Sequence, residues 1–223
     1  MKPFNLDEVD RLLTTTKAVR RRLDLGRPVE REVVVDCIRL AAYAPNASNA
    51  QEWKWVVVDD RDLVRECGEQ YRKVLVPAVS TMLESKLAEG DEAGARISRS
   101  IIYLAEHMGE VPMLVFPCYD VASADVRYNR LLKNDSGDGT MTSGMYASIY
   151  PAVWSFQLAL RSRGLGSALT TAHQIDQPAM AAILGIPNTW DQTAMIPVGY
   201  TTGDDFSPSP RRPVEETIVF NRG

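Results

Sequence analysis

The chain has 223 residues, 45% hydrophobic and 24% charged, with a formal net charge of −4. That size and apolar content suffice for one domain with a full core, and the acidic balance argues against a dedicated nucleic-acid binder, which carries a basic surplus. Cys37, Cys67 and Cys118 are odd in number, widely spaced and form no CxxC pair, which excludes a disulfide framework and a zinc site. The opening residues Met1 to Asp7 lack an apolar signal region, and no segment reaches the roughly 18 apolar residues of a membrane span. The expected setting is therefore cytoplasmic.

Leu6 to Thr16 reads as a helix with Leu6, Val9, Leu12 and Leu13 on one stripe. A basic run, Lys17 to Arg22, follows it. Pro28 to Ala44 is expected to be a second helix, with Val33, Val34, Cys37, Leu40 and Ala41 at helical spacing and Pro45 as its stop. Trp53 to Val58 predicts a strand with Trp53, Trp55 and Val57 on one face. Residues 61–110 read as a helical insert with a break at Glu89-Gly90-Asp91, and Val111 to Tyr119 as a second strand. The polar stretch 120–145 is expected to be a mobile loop on the substrate side.

Tyr150 to Arg163 then predicts a long helix closed by Gly164, with Ala168 to Thr171 opening a short strand. Gln177 to Leu184 is a further helix, Thr193 to Tyr200 a third strong strand, and residues 204–223 a C-terminal arm ending in a β-like run, Thr217 to Phe220. Helices and strands mix without a regular βαβ rhythm, so the expected class is α+β, in a single domain spanning 1–223.

Two segments carry chemistry. Lys17, Arg20, Arg21 and Arg22 supply clustered cationic donors suited to a phosphate, although such a run also fits a solvated face. Asn46, Asn49 and Gln51 place three amides in the loop between the second helix and the first strand. Amides that both donate and accept suit the edge of a flat heterocycle such as a flavin's pyrimidine ring, but they also suit an ordinary turn. Arg211 and Arg212 in the proline-rich tail either close over a phosphate or lie exposed. His107 and His173 are lone histidines without metal spacing, and no GxSxG elbow is present. The lack of acid–base machinery suits chemistry carried by a cofactor.

In order along the chain, these segments resemble the nitroreductase family of FMN-dependent oxidoreductases. Thr15 to Arg20 is similar to the phosphate motif R-R-S-V-R, and Ala44 to Trp53 to the segment A-P-S-x-x-N-x-Q-P-W. Ala159 to Gly166 looks like the helix ending in G-L-G, Leu184 to Pro187 and Pro197 to Tyr200 like the later I-P and strand motifs, and Arg211 to Glu216 like the closing R-x-P-x-E-E. Thr16, Ala18, Asn46 and Glu52 depart from the usual Arg, Ser, Ser and Pro.

The resemblance implies a three-layer sandwich, a mainly antiparallel sheet between helices, in a domain-exchanged homodimer with FMN at the interface. It places Lys17, Arg20 and Arg21 or Arg22 on the phosphate and ribityl chain, with Arg211 as the C-terminal phosphate arginine. Pro45, Asn46, Ala47, Asn49 and Gln51 would lie under the ring, and Leu169, Thr170 and Thr171 on its N5 side. The implied reaction moves hydride from NADPH or NADH through flavin N5 to a nitroaromatic, quinone or similar acceptor by ping-pong kinetics. The alternatives are a specialised flavin reaction, such as flavin fragmentation or reductive dehalogenation, and a non-catalytic FMN-binding protein.

Overall fold

The computed structural model describes residues 3–124 and 139–221. Asn5 caps α1 (Leu6–Thr15) by accepting from Glu8 N at 3.3 Å. Its expected stripe faces outward: Leu6, Val9 and Leu13 are exposed. Helix α2 (Arg31–Ala41) is shorter than the predicted span, and it buries Val34, Cys37 and Ala41 at successive helical turns. The break after Ala88 falls where predicted. There α3 (Arg61–Ala88) ends and α4 (Glu92–Glu106) begins, with Gly90 at φ +70° and Asp91 accepting from Gly94 N.

The sheet comprises β1 (Trp53–Val58), β2 (Met113–Asp120), β3 (Leu165–Ser167), β4 (Trp190–Gln192) and β5 (Ile196–Tyr200). The order is β1-β2-β5-β3, β4 adds to β2, and every strand pair is antiparallel. Helix α5 (Gly139–Arg161) begins well before the predicted Tyr150. The expected loop 120–145 thus lies largely outside the described residues, and its last part is helical. Helix α6 (Gln177–Leu184) has its predicted bounds.

The sheet separates two apolar layers, which gives the expected α+β sandwich. Along β2 the side chains alternate: Leu114, Phe116 and Cys118 pack with Tyr71, Leu104 and Met180, whereas Met113, Val115 and Tyr119 pack with Val34, Ile149 and Phe156. A strand buried on both faces needs a continuous apolar run, and β2 has one. Trp53, Trp55 and Val57 share the α2/α5 side, as their spacing predicts.

Three readings are corrected. Ala168 to Thr171 is not a strand; β3 is the three residues just before it. The stretch Thr193 to Tyr200 is a strand only from Ile196, where β5 starts, and a separate short strand, β4, ends just before it. Thr217 to Phe220 forms no strand and lies exposed after a short 3₁₀ turn at Val214–Glu216. Gly164 takes φ +75° at the close of α5, as its cap role requires. All three cysteines are free and buried; burial pushes the Cys37 thiol up to about 11 and those of Cys67 and Cys118 up to about 12. Among the described residues, no helix is long and apolar enough to cross a membrane.

Candidate functional site

The basic run leaves α1 and becomes an extended edge rather than a helical face. Ala18 bridges Ser167, Val19 N donates to Ser167 O at 2.9 Å, and Leu23 bridges Thr201. Val19 and Leu23 are buried by this stitching, so the cations between them are held near β3 and the end of β5.

Each cation has a different fate. Lys17 Nζ donates to Ser207 O at 2.7 Å. Arg21 lies over the Tyr103 ring at 4.7 Å and donates weakly to Arg99 O at 3.4 Å. Arg22 donates to Thr202 O at 2.9 Å, pairs with Asp205 at 2.5 Å and stacks on Phe206 at 4.2 Å, a ring that Arg161 also approaches at 4.5 Å. Gly203 permits this turn: it sits at φ +77°, and a Cβ there would come 2.5 Å from Arg22 Nη2. Lys17 and Arg22 therefore anchor the root of the C-terminal arm.

Among the described residues, Arg20 alone of the four has neither a hydrogen bond nor an ion pair. It is half-buried, and burial lowers its pKa, with the nearby Tyr71 hydroxyl opposing the shift. A guanidinium does not deprotonate, so a desolvated and unpaired one is unfavourable until an anionic or acceptor group faces it.

Arg20 stands where two cavities meet. The larger, about 710 Å³, is walled by Tyr71, Leu75 and Val79 of α3, Leu104 of α4, and residues Ala168 to Ala172. The smaller, about 270 Å³, is lined by Lys17, Arg20, Arg21 and Arg22 with Ser100 and Asp205. Leu169, Thr170 and Thr171 all line the larger cavity. Thr170 exchanges backbone hydrogen bonds with Met195 at 2.9 and 3.0 Å, and its hydroxyl meets Tyr71 Oη at 2.8 Å. This segment is thus held from both sides. The charged pocket suits a phosphate, and the apolar one, of ordinary ligand-site size, suits a flat ring.

The amide loop is elsewhere. Ser48, Asn49 and Gln51 all have left-handed backbone, at φ 56°, 51° and 53°. Non-glycine residues held there carry strain of order 1–3 kcal/mol each, a pattern that gathers at ligand clamps. The conformation is locked by Asn46 Oδ1, which accepts from Gln51 N at 2.9 Å, and by Ala47 N, which donates to Ser148 Oγ on α5 at 3.1 Å. Asn49 remains exposed. None of Pro45, Asn46, Ala47, Asn49 or Gln51 lines either cavity around Arg20, and neither does Arg211, which is exposed and bonded only to its neighbour's carbonyl. One chain therefore brings together Lys17, Arg20, Arg21, Arg22 and residues 169–171, but not the amide loop or Arg211.

Sequence reasoning missed Tyr71, Leu75, Val79 and Ser100 as cavity residues. The signal available was the spacing of Tyr71, Leu75 and Val79, one polar group heading an apolar stripe at four-residue steps. His107 pairs with Glu110 at 3.0 Å near the surface. Among the described residues, no cluster of His, Cys, Asp or Glu could hold a metal ion.

A model described as "Nitroreductase family" matches residues 15–200, from the end of α1 through β5. The chain belongs to the nitroreductase family. It is 26% identical over 199 residues to 5,6-dimethylbenzimidazole synthase of Rhodospirillum rubrum, covering 89% of this chain and 84% of that protein. It is likewise 26% identical over 206 residues to iodotyrosine deiodinase of Thermotoga neapolitana, covering 91% of each. The crystal structure of an oxidized iodotyrosine deiodinase bound to FMN and 3-iodo-L-tyrosine superposes with a TM-score of 0.67, at 22% identity over 96% of this chain and 99% of that one.

His173 makes a prediction independent of any ligand. It is 1% exposed, lies edge-on to Phe116 at 5.9 Å, and among the described residues neither ring nitrogen makes a well-formed hydrogen bond, the Gln192 backbone giving only a weak one. Burial pushes its pKa from 6.5 down to about 4, opposed by the backbone of Gln192. The unfolded chain takes up the proton near 6.5 and the folded one only near 4, so stability should fall as pH drops through that window, by about 3 kcal/mol in all. Urea unfolding at pH 7 and at pH 4.5, for wild type and His173→Leu, checks this. The variant should lose much of the slope, and an unchanged slope would remove His173 as its source.

Proposed function

We propose that this nitroreductase-family chain binds FMN and works as an NAD(P)H-dependent oxidoreductase. The observation that carries the reading is Arg20, an unpaired, half-buried cation joining a basic pocket to an apolar cavity. In this reading the phosphate lies among Lys17, Arg20, Arg21 and Arg22. The ring occupies the larger cavity, with the fixed backbone of Leu169, Thr170 and Thr171 at its edge. When bound, the flavin supplies hydride acceptance from NADPH or NADH and donation to a small acceptor such as a quinone or nitroaromatic. The protein's part is to hold the charge, orient the ring and keep water from it with Leu75, Val79 and Leu104.

The site is completed in this reading by a second copy, which supplies the amide loop and Arg211. Supporting it are the strained, outward-facing amides and the exposed apolar ends of the chain. Phe4 is 81% exposed, Val219 70% and Phe220 81%. Size-exclusion chromatography with light scattering should give a dimer; a monomer fully loaded with FMN would contradict it.

A second reading rests on the names of the two relatives at 26% identity: a specialised reaction at the same site, flavin fragmentation or reductive dehalogenation. One experiment separates the two. Steady-state oxidation of NADPH or NADH with varied quinone should give parallel double-reciprocal lines and leave the flavin bands intact. Flavin bands lost irreversibly in oxygen, or halide released from a haloaromatic, would favour the specialised reaction. No turnover in any arm would leave FMN binding alone.

A further inference from the structure

A separate cavity of about 480 Å³ lies between the first half of α5, helix α6 and strand β4. Its chemistry is the reverse of the Arg20 site. Its wall includes Tyr146, Gln177, Asn188, Trp190, Asp191 and Gln192, and among the described residues no cation lines it. Asp191 is half-buried and accepts a long hydrogen bond from Gln177 Nε2 at 3.2 Å, with the Tyr146 hydroxyl a second donor to its carboxylate. Among the described residues it forms no ion pair: the nearby Lys54 instead sits 5.8 Å from the Trp190 ring centroid, at the outer limit of a cation–π contact. Tyr146 faces the same carboxylate: its phenol pKa is raised by burial first and by the Asp191 charge second.

The inner wall is also polar. Gln192 is 1% exposed, and its orientation is fixed because Nε2 donates to Gln177 O at 3.3 Å while its backbone carbonyl accepts from Gln174 Nε2 at 2.8 Å. Its Oε1 is buried and has no donor among the described residues. A half-buried carboxylate between two aromatic faces attracts positive charge with hydrogens to give and repels anions.

We propose that this cavity binds a small organic cation bearing N–H donors, a primary ammonium or guanidinium compound, with Asp191 as counter-ion and Trp190 and Tyr146 as aromatic walls. The site is independent of the flavin reading, since it shares no lining residue with either cavity at Arg20.

Calorimetric titration of the full-length protein with benzylammonium and with benzyl alcohol, its uncharged counterpart, tests it. Benzylammonium should bind saturably at least tenfold more tightly than the alcohol. Asp191→Asn should bring the amine down to the affinity of the alcohol. In protein carrying flavin, saturation by the amine should leave the visible bands unmoved, which separates this cavity from the ring site. Equal affinities for the two probes in wild type, no saturation by millimolar amine, or full amine affinity in a folded Asp191→Asn protein would each overturn the proposal. The comparison of two probes on the wild-type chain decides even where the variant misfolds.

Discussion

Arg20→Ala is expected to weaken FMN binding by about 3 kcal/mol, on the order of a hundredfold, the upper range for a hydrogen bond to a charged group. The other three cations of the run already have protein partners. Arg21→Ala should lose less than about 1 kcal/mol, because its exposed guanidinium keeps its tyrosine stack and one weak bond without a ligand. Arg22→Ala should act indirectly, by freeing the turn from Thr202 to Phe206 that its guanidinium organises. Arg20→Lys should recover only part of the loss, since the charge returns without the planar fork. Quenching of flavin fluorescence during titration of the apoprotein gives these affinities. A ranking in which Arg21→Ala equals Arg20→Ala would mean that the unpaired guanidinium is not the anchor.

Gly68→Ala should be the most destabilising of the small substitutions, by about 3 kcal/mol, as forced overpacking of a core commonly is. A Cβ at position 68 would overlap Gly109 N and Cα and come within 2.8 Å of Met108 C. These are backbone atoms of the turn leading into β2, so no side-chain rotation relieves the clash. Helix α3 would have to lift, and Tyr71, one turn further along, would be drawn from Thr170. Flavin affinity should therefore fall along with stability. Gly90→Ala is the control. It meets nothing within 4 Å, and its penalty, about 1 kcal/mol, comes from the left-handed backbone alone. Urea midpoints rank the two, and a Gly68→Ala protein as stable as wild type would contradict the close approach.

Local pattern made much of the fold legible. The alternation of Trp53, Trp55 and Val57 gave β1 its bounds and one shared face, and Gln177 to Leu184, closed by Gly185, announced α6. Strand β4 was illegible because Trp190-Asp191-Gln192 has no alternation to read. It is a strand only because Cys118 to Asp120 of β2 pairs with it. The outward stripe of α1 shows the opposite failure, an apolar periodicity that names a face without saying what covers it.

The site divides in the same way. The charge of Lys17 to Arg22 was visible, but which cation stays unpaired depends on carbonyls and a carboxylate at residues 202–207, far along the chain. The three amides were visible as well. The left-handed backbone of Asn49 and Gln51, and the packing of their loop on α5 through Ala47 rather than beside Arg20, are tertiary facts. Nothing local singles out Tyr71 and Leu75 within the helical insert, because their cavity exists only once Ala168 to Ala172 is folded against α3.

The central claim is that this site is a redox-active flavin site, and a visible absorption spectrum tests it most directly. The purified protein, supplemented with FMN and cleared of the excess, is recorded before and after anaerobic addition of NADPH and then NADH. The account predicts retained bands of oxidised flavin that bleach with at least one of the two donors. A protein that retains no FMN, or retained bands that neither donor bleaches, would contradict it.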